Sequence, residues 1–242
     1  MTSIESCNVT AIVCAFNEKH TIFGVLQALS QNPLLDEIIV INDGSTDGTS
    51  AVLKAFKHNT RIHIIEFPEN KGKGAAMAQG IRCSNNDILL FIDADLTNLN
   101  TRHIYELILP LLDEKADMVV GHPTTNNTID KFDPFKPLAG ERAVFKEDIL
   151  PLLTRIEKSR YGVETLINLF YRTNKKKVQS VILYGLTHPV KLQKHATPKA
   201  LWMYSKETYE IIRTVVVNYS LVIFFVWNIF RSNIIELTRR IF

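Results

Sequence analysis

The feature that most constrains this chain is a repeated alternation: short, continuous apolar runs rich in β-branched residues, each followed by apolar residues at helical spacing. Runs at 9–15, 37–41, 61–66 and 87–92 read as strands buried on both faces, and 19–30, 49–57 and 73–82 read as the helices between them. Strand–helix–strand units close with right-handed crossovers. The expectation is therefore an α/β fold with a mostly parallel sheet, helices on both faces, and the loops that follow the strands gathered along one edge. Ligands of such sheets bind along that edge. Further strands are expected at 117–121 and 178–183 and further helices at 146–153 and 162–173, with a Pro- and Asn-containing loop at 122–138 long enough to be a functional segment.

With 242 residues, 46% of them hydrophobic, the chain can bury one sizeable core and is short for two. One domain over 1–205 is expected, followed by a hydrophobic helical extension over 206–242, where the composition shifts. A net charge of +3 without a basic tail argues against nucleic acid as a partner, and Lys175–Lys177 reads as a solvated turn. Cys7, Cys14 and Cys83 are odd in number and lack metal-ligand spacing, so they read as small core thiols of a reduced compartment. The first eight residues are polar and lack a signal-like apolar run, which predicts a cytoplasmic domain.

The chemistry concentrates at the ends of the expected strands. Residues 88–92 form a buried strand that delivers Asp93-Ala94-Asp95 just past its C-terminal end. Two carboxylates there suit Mg²⁺ or Mn²⁺, which would neutralise a leaving nucleotide diphosphate; a lone Asp-x-Asp is also a common acidic turn. The second strand runs into Asn42-Asp43-Gly44-Ser45, where Asp43 is the candidate acceptor for a base ring N–H. Thr46 and Asp47 read as helix-start residues. Ala15-Phe16-Asn17-Glu18 follows the first strand, and Lys71-Gly72-Lys73-Gly74 precedes a small-residue helix. Small residues let backbone N–H groups approach phosphate or ribose, and Lys71 or Lys73 adds positive charge; a plain helix start is the alternative.

Taken in order, these segments resemble the family 2 glycosyltransferases of the GT-A fold, over residues 9 to about 192. The resemblance implies donor binding by Ala15, Asn17, Glu18, Asp43, Lys71, Gly72, Lys73, Asp93 and Ala94, and a metal held by Asp93 and Asp95. Ala15 stands where many relatives carry proline, and Asn42 where many carry a first aspartate. Gly140-Glu141-Arg142-Ala143, Tyr161-Gly162-Val163-Glu164 and His188 are similar to glucosyl-3-phosphoglycerate synthases and mannosylglycerate-type enzymes. That similarity implies acceptor binding by Gly140, Glu141, Arg142 and Tyr161 and His188 as a third metal ligand; Asp95 and Glu164, which could orient or deprotonate an acceptor hydroxyl, are the catalytic candidates. Read as residues alone, Glu164 equally suits a helix N-terminus, Arg142 an internal ion pair, and His188 a solvated loop.

Residues 215–230 are apolar almost all round, yet fewer than the roughly 20 that span hydrocarbon comfortably. A membrane anchor is expected there, with an oligomerisation helix as its rival. The reading is a metal-dependent transferase moving a hexose from a UDP- or GDP-sugar to a membrane lipid or polyprenyl phosphate. A small phosphorylated or carboxylated acceptor such as a glycerate derivative is the alternative. A non-catalytic membrane protein that binds nucleotide-sugar is the rival from a different class.

Overall fold

The computed structural model describes residues 8–124, 139–159, 162–188 and 216–217. Seven strands and seven helices are found among them in the order β1 (Val9–Ala15), α1 (Ile22–Ser30), β2 (Glu37–Asn42), α2 (Thr49–Leu53), β3 (Ile62–Glu66), α3 (Lys73–Cys83), β4 (Ile88–Asp93), α4 (Thr101–Leu112), β5 (Met118–Thr124), β6 (Arg142–Phe145), α5 (Lys146–Ile149), α6 (Leu153–Lys158), α7 (Val163–Thr173) and β7 (Val178–Tyr184). The sheet runs β3-β2-β1-β4-β6-β5-β7. β1 to β4 are mutually parallel where they pair, and β5 and β7 are parallel to each other. β6 lies antiparallel between β4 and β5.

The apolar runs are continuous because both faces of the sheet are covered. In β1, Val9, Ala11, Val13 and Ala15 face a core that includes α1 and α4, whereas Ile12 faces a second core that includes α3, α6 and α7. α1 buries Ile22, Val25, Leu26 and Leu29, the i, i+3, i+4, i+7 stripe expected of a helix against a sheet. On the other side α3 approaches β1 closely: a Cβ on Gly80 would lie 2.5 Å from Ile12 Cγ2, which accounts for glycine inside that helix.

Several elements differ from the expectation. α1 begins at Ile22, after a turn in which the Glu18 carbonyl accepts from the N–H groups of Thr21 and Ile22. The helix expected at 146–153 is divided by a 3-10 turn at Leu150–Leu152, since Pro151 lacks the N–H a continuous helix needs. β5 extends to Thr124 because β7 pairs with it along its whole length, including Pro123 opposite Leu183. α4 was not anticipated, although Asn100 caps it by accepting from the N–H groups of Arg102 and His103 and its inward residues show helical spacing.

The strand order reverses at β1, with β2 on one side and β4 on the other, so the loops after β1 and β4 diverge and open a crevice. Among the described residues no helix is long and apolar enough to cross a membrane. The anchor expected at 215–230 lies outside them except for Val216 and Val217, which are helical and exposed.

Candidate active site

Three loops form one wall of the crevice and are stitched together by their own side chains. Asn17, at a left-handed φ of 61°, donates its N–H to Ser45 Oγ (2.9 Å) and accepts from the Thr46 N–H (2.9 Å). The Glu18 N–H donates to Thr49 Oγ1 at 2.9 Å, and the Asp43 N–H to the Ala15 carbonyl at 2.8 Å. Asp43 is buried and accepts from the N–H groups of Lys71 (2.7 Å) and Gly72 (2.8 Å) and from Asn70 Nδ2 (3.0 Å). The carboxylate expected to read a base thus first holds the Lys71-Gly72 loop to the end of β2. Asp47 serves the start of α2, as expected, by accepting from the Thr49 N–H and hydroxyl.

The same two loops meet at Gly44, which has a φ of +68° and an ideal Cβ position only 2.4 Å from the Glu69 carbonyl carbon. Gly44→Ala is expected to destabilise the protein by more than about 1–2 kcal/mol, the usual left-handed cost for an L residue, because the neighbouring backbone must also move. Urea unfolding of the two proteins measures this; equal midpoints would show that the loops adjust freely.

The two candidate lysines separate. Lys71 Nζ lies 4.8 Å from the Phe67 ring centroid, while Lys73 Nζ lies 2.7 Å from Asp93 Oδ1 and 2.7 Å from Glu164 Oε1. Lys73 opens α3 and Glu164 sits in the first turn of α7, so one ammonium joins two helix starts to the end of β4. Burial works to lower the Lys73 pKa, but the charges of Asp93 and Glu164 outweigh it and hold the ammonium well above its ordinary range. Cys14 lies nearby, and burial pushes its thiol up to about 12, so it is an unreactive packing residue.

Opposite this pair, His188 Nδ1 lies 2.9 Å from Asp95 Oδ1 and His188 Nε2 lies 3.7 Å from Glu141 Oε1. The histidine is brought there by a two-residue ladder: Thr97 and Thr187 exchange both backbone hydrogen bonds (2.8 and 3.2 Å), and their hydroxyls are 2.7 Å apart. No local pattern announces that pairing, since its partners are 90 positions apart. Burial disfavours the imidazolium, yet the Asp95 hydrogen bond and the charges of Asp95, Glu141 and Asp93 raise the His188 pKa. Ligand atoms of Asp93, Glu141 and His188 all lie within 4.8 Å of one another. Glu141 is fully buried, and burial together with the Asp93 charge, opposed by His188, raises its pKa to about 7.

Among the residues expected at the acceptor, Gly140 touches the Asp93 carboxylate so closely that a Cβ would lie 2.2 Å from Oδ2. Glu141 faces the Asp93 and His188 cluster. Arg142 is fully buried; it donates to the carbonyls of Ala139 (2.5 Å) and Glu164 (3.5 Å) and to Asn168 Oδ1 (3.3 Å), tying the start of β6 to α7. Burial lowers its pKa against the nearby charges of Glu164, Asp93 and Glu141. These contacts, to carbonyl and amide oxygens, describe an internal brace and are not the ion pair that the residue type suggested. Tyr161 lies outside the described residues.

Comparison with known proteins bears on the family and the fold. The model of the family described as Glycosyl transferase family 2 matches residues 10–175. A poly-beta-1,6-N-acetyl-D-glucosamine synthase of Staphylococcus aureus (strain COL) is 32% identical over 120 residues, 49% of this chain and 29% of that protein. A glucosyl-3-phosphoglycerate synthase of Mycobacterium tuberculosis (strain CDC 1551 / Oshkosh) is 33% identical over 111 residues, 43% of this chain and 34% of that protein. The matches thus span about a third of each curated relative. The crystal structure of the Mycobacterium tuberculosis glucosyl-3-phosphoglycerate synthase in complex with phosphoglyceric acid superposes with a TM-score of 0.68 at 23% identity, covering 87% of this chain and 79% of that one. The complex with Mn²⁺, uridine-diphosphate and glucosyl-3-phosphoglycerate gives 0.67 at 22%, with the same coverages. At these identities the superpositions establish the fold.

Proposed function

The chain belongs to glycosyl transferase family 2 and is a glycosyltransferase, and on that premise we propose that it transfers a hexose from a UDP-sugar to a small anionic acceptor of the phosphoglycerate type. The observation that carries the reading is the convergence of Asp93, Asp95, His188, Lys73 and Glu164 at the carboxyl ends of the sheet. Solved relatives of the same fold hold Mn²⁺ or Mg²⁺ together with uridine-diphosphate. The residues here fit such an ion: buried Glu141 carries two carboxylate oxygens without a hydrogen-bond partner beside Asp93 and His188. Asp93, Asp95 and His188 would hold it, and a divalent cation there neutralises charge on a leaving diphosphate.

In this proposal the protein's own groups do the rest. The Asn17–Glu18, Asp43–Ser45 and Lys71–Gly72 loops, fastened to one another, form a rigid seat for the nucleoside. Lys73 holds Asp93 and Glu164 in fixed relation, 2.7 Å from each. Glu164 orients the acceptor hydroxyl, a role that requires hydrogen-bond reach to it once the acceptor is bound.

A lipid or polyprenyl phosphate acceptor is the second reading, favoured by the apolar run at 215–230. One screen separates the two. The full chain is incubated with UDP- and GDP-sugars, Mn²⁺ or Mg²⁺, and either 3-phosphoglycerate or a polyprenyl phosphate in vesicles, and products are identified by mass. Metal-dependent transfer from a UDP-sugar to 3-phosphoglycerate is the expected result. Transfer only to the vesicle-borne phosphate would replace the acceptor, and nucleotide-sugar binding with neither transfer nor hydrolysis would leave a binding protein. A cytoplasmic catalytic domain follows from this proposal as the compartment where UDP-sugar and phosphoglycerate meet; the vesicle arm also tests membrane association and the oligomeric alternative for the tail.

A further inference from the structure

Glu141 is the most unusual side chain in the described part of the molecule. It has no exposed surface, yet neither carboxylate oxygen has a hydrogen-bond partner. A buried carboxylate left in that state is costly, and native proteins keep such groups where something else completes them. His188 Nε2, at 3.7 Å, is too distant for a hydrogen bond.

Its position is as specific as its burial. β6 runs antiparallel to β4 with Arg142 opposite Phe91, so the residues just before β6 lie beside those just after Phe91. Gly140 is in contact with Asp93, where any Cβ would occupy the carboxylate's place. The absence of a side chain at Gly140 lets Glu141 share one small volume with Asp93 and His188. Their ligand atoms spread over at most 4.8 Å. On an ion with bonds of about 2.1 Å, opposite ligands stand about 4.2 Å apart and adjacent ones about 3.0 Å, so the three groups must draw inward to close on one ion.

The local charge points the same way. The carboxylates of Asp93, Asp95, Glu141 and Glu164 gather around this volume against the two permanent cations Lys73 and Arg142. Carboxylates that outnumber the permanent cations suit a divalent cation.

We propose that Glu141 is a direct ligand of the divalent cation, binding it from the buried side together with Asp93 and His188. This rests on the metal-dependent reading above and moves Glu141 from the acceptor to the metal. The ion supplies the partner that the protein withholds, and without it Glu141 destabilises the fold.

That pairing of effects gives the test. Mn²⁺ binding to the full chain is measured by the loss of free-ion EPR signal, alone and with UDP, and melting is followed with and without Mn²⁺. Glu141→Gln is expected to weaken Mn²⁺ binding by at least about 10- to 100-fold, the loss typical of disturbing a metal's outer partners. It should also melt no lower than the unsubstituted protein without metal, and gain less from Mn²⁺. A purely structural Glu141 would give the reverse, a lower metal-free melting temperature and an unchanged Mn²⁺ increment, and that result overturns the assignment. Glu141→Asp keeps the charge but withdraws it by one methylene; it should bind Mn²⁺ more weakly, and unchanged affinity overturns the assignment even if the amide variant fails to fold. If the unsubstituted protein binds no Mn²⁺ with or without UDP, the metal-dependent reading falls and Glu141 with it. Tight Mn²⁺ binding that is equal in Glu141→Gln removes Glu141 alone.

Discussion

Asp95→Asn is expected to lower metal-dependent transfer at least about 10²-fold, since loss of a mere outer partner already costs about 10–100-fold and Asp95 is placed as a ligand. The substitution keeps the shape of the side chain and an oxygen for His188 Nδ1, 2.9 Å away, so it removes charge rather than architecture. Asp95 is partly exposed, and the fold should change by no more than about 0.5 kcal/mol, as for most surface substitutions. The loss should therefore appear in turnover and Mn²⁺ affinity together while the melting temperature holds. His188→Ala should show the same pattern more weakly, with partial recovery at high Mn²⁺. A folded Asp95→Asn protein with ordinary turnover would end the metal mechanism.

Lys73→Met is expected to change stability and metal affinity in opposite directions. It leaves Asp93 and Glu164 without the ammonium now 2.7 Å from each. Removing one member of a buried pair costs about 3–5 kcal/mol, and the lower end applies because the Lys73 and Asp93 side chains keep 26% and 24% of their surface exposed. Lys73 also competes with any cation for Asp93, so the variant should bind Mn²⁺ more tightly and recover stability on adding it. Transfer should still fall, because Glu164 loses its anchor. The pH dependence carries a sign: a pKa raised on folding contributes stability that is full below the unfolded-state value of about 10.4 and is lost as pH rises through the higher folded value. Stability of the unsubstituted protein should therefore decline more than that of Lys73→Met above about pH 10.4. Denaturant titrations at neutral and alkaline pH measure both effects, and equal stability at both would show that Lys73 is a solvated bystander.

The legible part of this protein is local. Strands β1 to β4 read from their continuous apolar runs, because a strand covered on both faces has no polar side to show. The Asp93-Ala94-Asp95 end of β4 and the loops after β1 and β2 followed from right-handed crossovers, which put every loop after a parallel strand on one edge. That rule does not reach β6, a strand that was not anticipated, and Gly140 and Glu141 were placed at the site only through the family resemblance. β6 is antiparallel, so the residues before it, Gly140 and Glu141, reach the ligand edge, and a four-residue strand carries too short a pattern to declare its direction.

What the amino-acid sequence determined by itself was the α/β class, the two covered faces and the carboxylates at the carboxyl end of β4, since each depends on periodicity within one segment. Only the tertiary structure decided which of those groups act on one another. Asp43 proved to fasten a loop, Arg142 to brace β6 against α7, and Lys73 to join Asp93 to Glu164. The Thr97–Thr187 ladder decided where His188 stands. Side-chain charge and hydrogen bonding act over a few ångströms of space whatever the separation along the chain, so they become fixed only when the sheet brings distant strand ends together.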